Sequence, residues 1–167
     1  MERKTVFLGF LLALSMLLSY IESILPFAIG IPGIKLGLPN LIVVLLLYLY
    51  GAKEALAVNL SRILLTGFLF GNLYAIVYAM AGAACSFCVM LLMRRRKCFS
   101  VIGVSIGGGI FHNIGQMLIA SFVVESFAPV FYLPVLLIAG ALTGFAIGMV
   151  SIRVLPYIQR FHKDNIS

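Results

Sequence analysis

Leu73 to Met93 reads LYAIVYAMAGAACSFCVMLLM, and the next four residues, Arg94 to Lys97, read RRRK. At 1.5 Å of rise per residue this uncharged run covers about 30 Å, the hydrocarbon thickness of a bilayer, and a basic cluster closes it. Working outward, the same pattern recurs. Apolar blocks lie at Thr5 to Leu25, Leu36 to Tyr50, Glu54 to Phe70, Val101 to Val124 and Val130 to Leu155. The second block is short for a crossing, about 22 Å long, so tilt is of no use to it and it needs snorkelling flanks or a local thinning.

Composition agrees: 63% of the 167 residues are hydrophobic and 10% are charged, against about 25% charged residues in soluble domains. The apolar runs are continuous rather than alternating, which excludes a membrane barrel and leaves helices. The sequence therefore predicts an all-α, polytopic membrane protein, a compact bundle of about six transmembrane helices forming one domain over residues 1–167. Its place is the cell membrane, as a multi-pass protein whose first surrounding is the lipid bilayer. The start at Arg3 and Lys4 reads as an uncleaved first helix, because the apolar run is long and no small-x-small cleavage site follows it.

The net charge is +7, but basic residues do not interleave with exposed aromatics as in a nucleic-acid surface, so nucleic acid is not expected as a partner. They cluster instead between apolar blocks. Ten of the twelve Lys and Arg residues fall at the N-terminus, at Lys53, at Arg94 to Lys97 and at Arg153, Arg160 and Lys163. The positive-inside bias puts both termini and the Arg94 loop in the cytoplasm. Pro26 to Pro39, PFAIGIPGIKLGLP, becomes the longest external loop, either a lid or a connector packed on the bundle.

Polar residues inside a bilayer need a partner, a cavity or a ligand. Arg62 lies near the middle of the third block with Asn59 one turn before it. His112, Asn113 and Gln116 lie near the middle of the fifth, where His112 and Gln116 share a face. Glu22, Lys35 and Asn40 lie nearer the outer surface. If these eight side chains converge, they line a ligand pocket open to the outside. The alternative is structural: Arg62 pairs with Glu22 or a carbonyl, and the amides tie helices together.

Gly107, Gly108 and Gly109 precede His112 and either break the fifth helix at a ligand site or permit close packing. Gly140, Gly144 and Gly148 recur every fourth residue, a pattern that lets helices approach within the chain or at a partner subunit. Cys85 and Cys88 form a CxxC inside the fourth helix, without the second ligand pair that zinc wants, so no metal site is expected, while a redox role for the two thiols stays open. Neither a phosphate loop nor a Ser, His and acid arrangement is present, and an enzyme is not expected.

PGIKLGLPNLIVVLLLYLYGAKEALAVNLSRILLTGFLFG, from Pro32 to Gly71, and GGGIFHNIGQMLIASFV, from Gly107 to Val123, resemble the Gx transporter family, often labelled heptaprenyl diphosphate synthase component I. The likeness covers about Thr5 to Leu155. The family is similar in size and hydropathy to the substrate-binding S-components of bacterial energy-coupling-factor importers. That resemblance implies uptake of a small molecule captured from outside, with ATP used only by separate ATPases and a coupling membrane subunit as partners; no cofactor belongs to this chain. S-components meet the coupling subunit through an AxxxA-like motif on the first helix, where Gly9 and Ala13 fit the spacing. The synthase label implies instead a membrane accessory of polyprenyl diphosphate and menaquinone synthesis. Direct prenyl transfer would need clustered aspartates for magnesium, and Asp164 is the one Asp in the chain. A structural subunit of a membrane redox complex would suit the composition too.

Overall fold

The computed structural model describes residues 2–24, 37–96 and 98–164. Six α-helices follow one another: α1 Glu2–Ile24, α2 Leu38–Leu49, α3 Ala52–Phe70, α4 Leu73–Arg95, α5 Val101–Val123 and α6 Leu133–Asp164. No strand occurs among the described residues. Three of the helices, α2, α4 and α5, begin where local chemistry supplies an orphan N–H group with a partner or removes one. Asn72 caps α4 by accepting the Ala75 N–H at 2.8 Å, and Ser100 caps α5 by accepting that of Gly103. At α2, Gly37 adopts the left-handed conformation, φ 68°, and Pro39 follows in the first turn, where its missing N–H costs no bond.

The helices alternate in direction, and side-chain contacts fix which ends meet. Lys4 at the start of α1 pairs with Glu54 at the start of α3, Phe7 packs on Tyr50 just after α2, and Arg94 at the end of α4 lies over the Tyr48 ring. These define one end of the bundle, the basic one. At the other end the Tyr20 and Phe70 rings, from the last turns of α1 and α3, lie 5.0 Å apart.

Four helices, α1, α4, α5 and α6, are long and apolar enough to cross a membrane on their own. The remaining two reach across by other means. α2 has 12 residues, about 18 Å of rise, and Ile42 to Leu47 are all buried, so it runs inside the protein rather than against lipid. α3 carries Lys53, Glu54 and Arg62. Around the bundle, Phe10, Phe68, Leu118, Phe122 and Leu142 turn outward. Water would not tolerate that surface, and hydrocarbon does.

Several boundaries differ from the sequence expectation. α2 starts at Leu38 rather than Leu36, because Gly37 is the left-handed residue before it. α6 continues past Leu155 to Asp164 with Pro156 inside it. α5 is one unbroken helix, so the glycines at 107 to 109 serve packing instead. A Cβ at Gly109 would collide with the Gly140 carbonyl, and one at Gly144 would lie 2.6 Å from the Ser105 carbonyl oxygen. Gly148 meets Ile102 in the same way. The glycine stripe of α6 is thus an intramolecular seam with α5. Gly9 is different: nothing lies within 4 Å of where its Cβ would be, and Ala13 is likewise exposed.

Candidate functional site

In the half of the bundle away from the basic end, the helices part around a cavity of about 230 Å³. All six contribute to its wall. α3 supplies Arg62, Thr66 and Gly67, and α5 supplies Gly109, His112, Asn113 and Gln116. Ser19, Glu22 and Ser23 come from the last turns of α1, Gly37 and Asn40 from the start of α2, Ala75 and Ala79 from α4, and Thr143 from α6. A smaller space of about 10 Å³, room for roughly one water, lies against it and shares Asn40, Gly109 and Thr143 with it.

Arg62 is the group that most needs explaining, since it is only 9% exposed and an arginine at membrane depth costs on the order of 2.5 to 3.5 kcal/mol. Its guanidinium is held by a short fork. One Nη donates to Asn59 Oδ1 at 2.7 Å, the other to Ser19 Oγ at 3.3 Å. The buried Nε–H finds no hydrogen-bond partner among the described residues. Spacing accounts for the first bond, because Asn59 stands one turn before Arg62 on the same face.

Gln116 is 3% exposed, and its side-chain amide makes no hydrogen bond among the described residues, nor does that of Asn40. Both line the cavity. α4 approaches α5 closely here: a Cβ at Gly82 would lie 2.8 Å from Gln116 Cγ and 2.9 Å from the His112 carbonyl oxygen. That contact pins the turn of α5 that carries His112 and Gln116 and points it at the cavity.

Glu22 and Asn113 line the cavity as well, and one polar atom of each is already engaged. Glu22 Oε1 accepts the backbone N–H of Gly37 at 2.5 Å, so its carboxylate caps the N-terminus of α2, where the helix dipole favours negative charge. Asn113 donates from Nδ2 to the Leu136 carbonyl at 2.6 Å and ties α5 to α6.

Of the eight residues singled out from the sequence, Glu22, Asn40, Arg62, His112, Asn113 and Gln116 therefore share one cavity, and Asn59 stands behind Arg62. Lys35 and most of the Pro26 to Pro39 loop lie outside the described residues. Sequence reading missed Ser19, Ser23, Thr66 and Thr143. A signal for the first two was present, since Ser15, Ser19 and Ser23 recur every fourth residue in an apolar helix. Ser15 and Ser19 also bond back to their own helix, at the Leu12 and Ser15 carbonyls. Cys85 and Cys88 take no part in the cavity wall, and among the described residues no group of three His, Cys, Asp or Glu side chains is placed to hold a metal.

A six-helix bundle with an apolar outer surface and a polar chamber in one half defines a multi-pass membrane protein with an internal polar cavity. The family model described as heptaprenyl diphosphate synthase component I matches residues 11–154. The chain belongs to that family. No match was found among curated proteins or among solved structures.

Proposed function

We propose that this chain is a non-catalytic, membrane-embedded binding subunit that takes a small polar molecule into the cavity between Arg62 and Gln116. One observation carries the reading: the Arg62 Nε–H is buried without a hydrogen-bond partner among the described residues, and Gln116, itself 3% exposed, lines the same chamber. A buried polar group without a partner destabilises a protein by roughly 1 to 3 kcal/mol, so a chain that keeps one in a cavity wall keeps it for something that enters.

The positive-inside rule puts the Lys4, Lys53 and Arg94 end in the cytoplasm, and the chamber then opens toward the outside. Capture from outside followed by uptake is the function this supports best. Energy would come from separate ATPases acting through a coupling membrane subunit.

The family description favours a second reading, a membrane accessory of polyprenyl diphosphate synthesis whose partners are other synthase components. Size limits what that accessory would hold inside. A volume of about 230 Å³ lies below the roughly 300 to 1,000 Å³ of pockets for drug-sized molecules. A heptaprenyl chain does not fit, and only its polar head would.

Native mass spectrometry of protein extracted gently from its own membranes tests both readings. The expected result is a bound small molecule in the wild type that is lost from a folded Gln116→Leu variant; equal retention by the two would rule the cavity out as its site. Copurifying ATPases would support uptake, and a copurifying prenyl transferase would support the accessory role.

A further inference from the structure

The chemical class of the ligand follows from how charge is balanced on the cavity wall. Arg62 and Glu22 are the strongly charged side chains there among the described residues, and at first sight they neutralise each other. Their surroundings differ. The Glu22 carboxylate accepts the Gly37 N–H at the head of α2, so a backbone donor and a 12-residue helix dipole already offset its charge. Arg62 has only the neutral oxygens of Asn59 and Ser19 on its Nη atoms, the Ser19 bond is long at 3.3 Å, and Nε–H is unpartnered among the described residues. The cavity therefore presents a guanidinium whose Nε–H edge is unpartnered among the described residues, and Gln116 lines the same wall.

Resting on the binding reading above, we propose that the ligand is a small acid whose carboxylate or phosphate group docks on the unpartnered Nε–H of Arg62 and the N–H beside it. Guanidinium matches both groups because two parallel N–H donors meet two oxygens. A neutral hydrogen-bonding portion faces Gln116 and Asn40, and the cavity volume keeps any long apolar chain outside.

The test uses the full-length protein in lipid nanodiscs and three probes of similar size class: sodium benzoate, methyl phosphate and neutral benzamide. Thermal unfolding is read against probe concentration. Benzoate, methyl phosphate or both should raise the unfolding midpoint of the wild type with benzamide inert, and whichever acid protects better identifies the source of the anionic group. Arg62→Gln should abolish the response. Should that variant fail to fold, Gln116→Glu keeps Arg62 and sets a like charge against the acid, weakening the protecting probe at least tenfold. Equal protection by benzamide and the acids, or an undiminished acid response in either folded variant, would overturn the acid class while leaving the cavity as a binding site. A wild type indifferent to all three probes, and free of any small molecule by native mass spectrometry, would overturn both.

Discussion

The two halves of the bundle are built from the same helices and follow opposite rules. Toward the basic end, α2 is walled in: Leu46 and Leu47 are fully buried, and Ala55, Val104 and Leu155 close around it. Toward the other end the same helices present Ser19, Arg62, Gln116 and Thr143 to a chamber. One half is filled with apolar side chains packed on each other, and the other holds polar side chains around open space. The contrast puts close packing and open polar space at separate depths along each helix, so on the binding reading proposed above a substitution should act on stability or on ligand retention according to its depth.

The hardest blow to this contrast is aimed at the seam that both halves share. Gly144→Val places a branched side chain against the Ser105 carbonyl, and overpacking of this kind costs about 1 to 3 kcal/mol or more; the unfolding midpoint in detergent should fall steeply. Gly9→Leu, where no atom lies within 4 Å, should leave it within about 0.5 kcal/mol, and equal losses in the two variants would break the account of the glycines. Next, Leu46→Ala opens a hole in the filled half and should cost about 2 to 3 kcal/mol with ligand retention preserved. Asn113→Ala removes the tie to Leu136 and should cost about 1 kcal/mol, read in the same unfolding assay. Gln116→Leu sharpens the comparison through its sign: an apolar isostere of an unbonded amide should leave stability unchanged or raise it while ligand retention disappears. A clear loss of stability would mean that the amide is structural. The smallest effect belongs to Lys4→Gln, which breaks the exposed pair with Glu54; its shift in midpoint should be near the limit of detection and vanish at high salt.

Much of this was legible in the sequence because a bilayer enforces a simple code. Uninterrupted apolar length gives α4, and basic clusters mark its ends. Polar residues in such runs are rare enough that Arg62 and the HNIGQ stretch stood out without any structure. What stayed hidden depended on partners distant in sequence. Nothing in Glu22 itself says that it caps α2 rather than facing a ligand, since its acceptor role appears only once Gly37 is beside it. Asn113 and Gln116 are both amides on one helix, yet one is committed to Leu136 and the other is not. Gly107 to Gly109 stayed ambiguous in a similar way, for a run of glycines reads equally as a break or as close packing until Gly140 and Gly144 are seen against it. The end of α6 was obscured by Pro156, which usually stops a helix and here lies inside one.

That last helix has a mechanical side. α6 is a single rod of 32 residues, about 48 Å long and so longer than the roughly 30 Å of hydrocarbon. It carries Thr143 on the chamber wall and Arg153 and Arg160 at its far end. One helix thus joins the chamber wall to the basic end of the bundle without a break in the chain. Near that end Pro156 removes one rung of the hydrogen-bond ladder.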